Sequence, residues 1–205
     1  MNRIYIFNCS NKVPDNAIKD ALAEIDKLNP LEGILAENCG EIISECVKNS
    51  LNKQRNQVDF YKFLFPFLNA LNQKGMDSQA KKLVFFDEDL YTENAGWVFG
   101  GYQALPLSPG IIIMSSHRII DSLQRKDIIC HELGHMFNAP KDGRQNTYEL
   151  YGLHCSNNLC VMKQNMSIKE AVKYSHKRRA RNADMFCDEC REDIKNYAYK
   201  LQDAL

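Results

Sequence analysis

The sequence predicts a mixed α/β fold of the α+β type, with a twisted mixed sheet covered by helices and a small C-terminal helical lobe stapled by cysteines. Three observations carry this reading. Short β-branched and aromatic runs alternate with helix-period segments as far as residue 137. A histidine pair at i, i+4 spacing closes that part of the chain. The remainder has few large apolar residues and carries four of the eight cysteines, in two close pairs. A length of 205 residues suits one domain, expected as a sheet-and-helix part over 1–137 and a lower part over 138–205.

Arg3 to Asn8 (RIYIFN) reads as a strand. Pro14 and Asp15 open a helix with Ile18, Ala21, Leu22, Ile25 and Leu28 at helical spacing, and Pro30 ends it. Glu41 to Leu51 repeats the pattern. Phe60 to Leu71 is strongly apolar but contains Pro66, which predicts a kinked helix or two short ones. Lys82 to Asp87, Trp97 to Tyr102 and Gly110 to Ser115 read as strands, with turn signals at Asn94, Gly96, Pro106 and Pro109. A helix beginning between Asp121 and Asp127 runs to Phe137. Residues 138 to 152 read as a polar loop. Ser167 and Glu170 form a capping-box pair that starts another helix, and a last one spans Asp188 to Leu201.

Composition excludes several classes. Twenty-six basic residues balance 26 acidic ones, which argues against a general nucleic-acid binder. No apolar run approaches the ~18–20 residues of a membrane span. The apolar stretch before Asn8 is shorter than the ~7–15 residues of a signal-peptide core, so a cytoplasmic location is expected. Cysteines in that compartment are free thiols or metal ligands. Cys9, Cys39, Cys46 and Cys130 follow no pairing pattern and read as core thiols.

The chemistry is concentrated in His131-Glu132-Leu133-Gly134-His135. On a helix, His131 and His135 share a face and can offer two imidazole nitrogens to one zinc ion. Glu132 is rotated by ~100° and falls beside that site as a general base for a zinc-bound water. Gly134 costs about 1 kcal/mol against alanine inside a helix, which implies a close approach by the sheet below. Cys155 and Cys160, followed by Cys187 and Cys190, have the spacing of a closed, structural four-thiolate zinc site. Buried free thiols and a redox C-x-x-C are the alternatives for those four.

Taken together, His131-Glu132-Leu133-Gly134-His135, Gly152-Leu153-His154-Cys155, Cys160-Val161-Met162 and Cys187-Asp188-Glu189-Cys190 resemble the archaemetzincins, zinc metallopeptidases of the metzincin clan. The segments FFDEDLY, WVFGGY and GIIIMSSHR are similar as well, so the likeness covers about residues 55 to 195. It implies a metzincin-like sheet, a peptide or protein substrate and two zinc ions. His131, His135 and His154 would hold the catalytic zinc, with Glu132 as the catalytic base. Cys155, Cys160, Cys187 and Cys190 would hold the structural zinc, and Met162 would be the Met-turn residue. Two departures stand out. The family's third histidine lies six positions after the second, where this chain has Lys141, and Asn138 stands at the family's glycine position. His154 follows His135 by 19 positions, so 13 extra residues intervene. The stretch between Met162 and Cys187 is also longer than in the family.

Other readings stay open at this stage. Asp142 competes with His154 as third ligand, being one place past the family's usual spacing. Glu149 or Glu170 would serve in a gluzincin-type site. The run His176-Lys177-Arg178-Arg179-Ala180-Arg181 is the only dense basic segment. It supports a second class of function, a zinc-stabilised binding module with a weak or inactive peptidase site.

Overall fold

A computed structural model describes residues 2–105 and 108–202, with side chains through residue 197. Pro106 lies outside the described residues. In chain order the elements begin with β1 (Arg3–Asn8), α1 (Asp15–Asp26), β2 (Gly33–Ala36), α2 (Gly40–Ser50), β3 (Leu51–Asn52), β4 (Gln57–Asp59) and α3 (Phe60–Gln73). There follow β5 (Lys81–Phe86), β6 (Leu90–Thr92), β7 (Ala95–Val98), β8 (Gly100–Leu105) and β9 (Ser108–Ser115). The chain continues with α4 (Ser122–Met136), β10 (Thr147–Glu149), β11 (Leu153–Cys155), α5 (Ile168–Ala180) and α6 (Asp188–Gln202). This is the mixed α/β class expected. No helix among the described residues is long and apolar enough to cross a membrane.

The chain divides into two compact units. The first joins Met1–Asp15 to Leu31–Arg118, and the second joins Asn16–Pro30 to Ile119–Leu205. The helix α4 groups with the C-terminal segment, whereas the sequence reading drew its boundary after that helix.

The first unit is built on a five-stranded sheet of order β2-β1-β5-β9-β8. The first four strands run parallel and β8 returns antiparallel to β9. Every residue of β5 is buried, as a central parallel strand requires. α2 and α3 contribute Ile43, Phe63 and Phe67 to a core shared with Phe7, Phe86 and Ile113. Phe63 stands 5.3 Å from Phe67 and 5.1 Å from Phe86, and Phe7 meets Phe67 edge-on at 5.5 Å. Cys39 and Cys46 lie in this core as free thiols.

Several elements differ from expectation. α3 is one continuous helix through Pro66, held by its Asp59 cap, which accepts from the Tyr61 and Lys62 amides at 3.1 Å. The strand expected over Trp97 to Tyr102 divides into β7 and β8, which belong to different sheets. β2, β3 and β4 are too short to show a periodic signal. The acidic turn after β5 is structural. Asp87 accepts from the Ser10 hydroxyl at 2.6 Å and the Asn11 amide at 3.0 Å. Asp89 takes Arg118 Nε at 2.8 Å and Nη2 at 2.6 Å, and Gln57 at 2.9 Å.

In the second unit, Lys126 of α4 pairs with Glu24 of α1 at 2.7 Å, and Cys130 packs against the Ala21 carbonyl. Arg178 of α5 pairs with Asp127 of α4 and donates to the Leu159 carbonyl at 2.8 Å. The basic run over 176–181 is therefore not a uniformly solvated face, since Arg178 is buried at its centre.

Phe63 is fully buried against the rings of Phe67 and Phe86. Replacing it with alanine should cost about 3–5 kcal/mol in urea unfolding, at an unchanged slope. A loss below about 1 kcal/mol would show that the ring cluster does not hold the first unit together.

Candidate metal centre

α4 starts at Asp121, whose side chain accepts from the Leu123 and Gln124 amides at 2.9 and 3.0 Å. It ends on Phe137, and Asn138 then adopts φ = 59°. Ala139 N–H returns to the Gly134 carbonyl at 2.8 Å, and Asn138 N–H to that of His135 at 3.0 Å. This is the left-handed helix stop for which glycine is the usual residue and asparagine the next best. Asn138, which stands at the glycine position of the family the sequence resembles, supplies this stop.

His131 and His135 project from one face of α4, with their Nε2 atoms 3.2 Å apart. His154, on β11, closes the group, and the three rings lie 4.8–5.2 Å from one another. Backbone carbonyls orient two of them: His131 Nδ1 donates to Val161 O at 2.9 Å, and His154 Nδ1 to Gly152 O at 2.8 Å. With Nδ1 so engaged, Nε2 of each ring is the free lone pair. Burial, followed by the charges of neighbouring imidazoles, pulls His131 down to about 3 and His135 well below the ordinary histidine value. Burial also lowers His154. All three are held neutral, the form that ligates a metal.

Glu132 is 7% exposed, and no hydrogen bond or ion pair from the described residues reaches its carboxylate. Burial alone pushes it up to about 8. A dication beside it would favour the carboxylate and draw that value back down.

The competing third ligands are elsewhere. Asp142 is exposed and accepts from the Gly143 amide, and Glu149 is exposed on β10. Glu170 accepts the Met166 amide at 2.8 Å, completing the cap in which Ser167 takes the Glu170 amide.

The segment 138–152, expected as a loop, contains β10, which pairs antiparallel with β11 and sets Tyr148 opposite His154. The Tyr148 hydroxyl accepts from the Gln164 amide at 3.1 Å. Lys141 N–H reaches Asp193 at 3.0 Å, and Arg144 bridges Asp193 and Cys190.

Cys155, Cys160, Cys187 and Cys190 form a second group, with their sulfurs within 4.8 Å of one another. Cys155 is driven far below the usual thiol range by hydrogen bonds from Cys160, Cys187 and Cys190. Cys190 is pushed far up by Cys155, Cys160 and Cys187. Thiols crowded this way share their protons unequally, as a site suited to thiolate ligation does. The donor sets fit zinc: three neutral imidazoles in one place, four sulfurs in the other.

Met162 links the two groups. It is fully buried, and its sulfur lies 2.1 Å from where a Cβ on Gly134 would stand, with a Phe186 ring carbon 3.1 Å from the same point. The close approach at Gly134 therefore comes from Met162, not from the sheet as expected. The Met162 carbonyl accepts the Cys155 amide at 2.9 Å, and Val161 N–H donates to Met185 O at 2.9 Å.

The bridging roles of Val161, Arg144 and Arg178 have no local sequence signal. They depend on partners 30 to 51 positions away.

The fold is similar to the folds of solved zinc-dependent peptidases. More narrowly, it is archaemetzincin-like, as comparison with solved structures shows. Archaemetzincin from Methanopyrus kandleri superimposes with a TM-score of 0.61 at 17% identity, over 97% of this chain and 96% of that one. A zinc-dependent peptidase from Methanocorpusculum labreanum gives 0.58 at 22% identity, over 95% and 100%. Archaemetzincin from Archaeoglobus fulgidus, complexed with malonate, gives 0.56 at 21% identity, over 93% and 99%. No family model and no curated protein matches the sequence.

Gly134→Ala should destabilise the chain by about 1–3 kcal/mol despite its better helix propensity, because the added Cβ would meet the buried Met162 sulfur at 2.1 Å. In a Met162→Ala background the same change should cost much less. Equal cost in both backgrounds, measured as a double-mutant cycle, would detach Gly134 from Met162.

Proposed function

We propose that the protein is a zinc-dependent peptidase. His131, His135 and His154 would hold the catalytic metal through Nε2, and Glu132 would act as general base. The carrying observation is the convergence of three neutral imidazoles, with the buried carboxylate of Glu132, next to His131 on α4, left without a partner among the described residues. Zinc bound there supplies a Lewis acid that polarises a carbonyl and acidifies water near neutral pH. Glu132 takes a proton from the attacking water and delivers it to the departing amine nitrogen, so one peptide bond breaks as one water is consumed. The Val161 and Gly152 carbonyls keep the rings of His131 and His154 in place throughout.

A second zinc would be held by Cys155, Cys160, Cys187 and Cys190. With all four donors supplied by the chain, no position is left for a substrate, so its role is structural. In the basic run that motivated the binding-module reading, Arg178 is tied to Asp127 and the Leu159 carbonyl and so is not offered to a partner.

Glu132→Gln should keep the fold and the full metal content while peptide hydrolysis falls by 10²-fold or more. Unchanged turnover on a mixed peptide library would exclude this mechanism, and loss of metal would make Glu132 a ligand instead.

Purified without added metal, the chain should carry two zinc ions of unequal lability, the imidazole-held one leaving first and taking activity with it. His154→Ala should lose the labile zinc and Asp142→Ala should keep it. Cys190→Ser should lower thermal stability and solubility more than activity per folded molecule. The reverse pattern for His154 and Asp142 would reassign the third ligand. A normally stable Cys190→Ser with full zinc would remove the second site.

A further inference from the structure

We infer that Arg144 is a positioning residue of the four-cysteine site, its guanidinium fork holding the Cys190 sulfur with one arm and Asp193 with the other. This rests on the reading that Cys155, Cys160, Cys187 and Cys190 hold zinc.

Four thiolates around a dication leave a net charge of about −2 in a site shielded from water, and donors aimed at sulfur offset that charge. Arg144 is placed to do so. Its Nη2 lies 3.3 Å from Cys190 Sγ and its Nη1 2.6 Å from Asp193 Oδ2. Both side chains of that ion pair are largely buried, at 15% and 11% exposure. Cys190 and Asp193 are three residues apart on α6 and so share one face, which lets a single planar fork reach both. Asp193 is itself fixed by the Lys141 amide at 3.0 Å, and the Arg144 carbonyl by the Thr147 hydroxyl at 2.7 Å.

The second arm ends on sulfur, not on a second carboxylate. Glu189, the neighbouring acid, is taken by Asn146. A lysine would supply the charge but not two directed donors. Arg144 also lies within the segment that separates this chain from the spacing of the family it resembles. That segment thus acts as a brace on the cysteine site, fixing the direction of the Cys190 sulfur and lowering the energy of its lone pairs.

The test uses the full chain carrying Arg144→Gln, Arg144→Lys or Asp193→Asn. In Arg144→Gln the slowly released zinc should pass to a competing chelator 10–100-fold faster than in the wild type. After cobalt exchange, the sulfur-to-cobalt charge-transfer band should move to lower energy. Arg144→Lys should recover only part of both effects, and Asp193→Asn, which loosens the fork without removing it, should fall between. Faster release with an unmoved band would place Arg144 in the fold and not at the sulfur, overturning the inference. Wild-type release with an unmoved band would overturn it as well. A wild-type chain that shows no sulfur-to-cobalt band at all would instead remove the four-cysteine reading, a result separate from any behaviour of Arg144.

Discussion

Met162 sits against α4 at a position where no Cβ stands in its way, and the geometry of both the imidazole group and the cysteine group depends on that contact. Because its side chain is seated against Gly134, the adjacent Val161 carbonyl reaches His131 Nδ1. On its other side the Met162 carbonyl takes the Cys155 amide, and Cys160, two residues earlier, adds a sulfur to the cysteine group. Three consecutive residues therefore set the rotation of one imidazole, the register of the strand carrying another, and one corner of the thiol cluster. The helix-propensity cost of a mid-helix glycine, about 1 kcal/mol, is small beside the burial of a methionine side chain and two hydrogen bonds.

β11 carries this linkage across a single peptide. Successive side chains on a strand point to opposite faces, so His154 turns to the imidazoles and Cys155 to the sulfurs. Neither group can shift along the strand without disturbing the other. The pairing of β10 with β11 pins that register, with Tyr148 opposite His154 and Thr147 opposite Cys155.

What was legible in the sequence was local. His131, Glu132 and His135 fall within one helix, so their spacing alone determines which face they share. The apolar runs of β1, β5 and β9 announce themselves because each is buried and longer than a turn. Ser167 declares the start of α5 through its own side chain. Elements whose identity depends on a distant partner were not legible. β2 and β4 are defined by the strands beside them, and α3 passes through Pro66 because tertiary packing of its phenylalanines offsets the cost of a mid-helix proline, about 3 kcal/mol. A formal charge count of 26 against 26 cannot show that Arg178, Arg144 and Arg118 are each committed to one carboxylate. Asn138 looks like a departure from pattern in sequence. In structure it takes the positive φ that the end of α4 demands, which asparagine tolerates.

The long segment before His154 shows why spacing is a weak guide to the third member of such a group. Thirteen additional residues raise the entropy of closing a flexible loop by only about 1 kcal/mol, since the dependence is logarithmic. Here the segment is anchored along its length. It turns back on itself through Tyr151 and Gly152, both at positive φ, and pairs as a hairpin. It then fastens to α6 through Lys141, Arg144 and Asn146. Each anchor limits the freedom that the extra length would otherwise add. The Gly152 carbonyl, fixed by that turn, is the group that holds His154 Nδ1. Length that appears in sequence as a disruption of a ligand motif is converted by the hairpin into the support that orients His154.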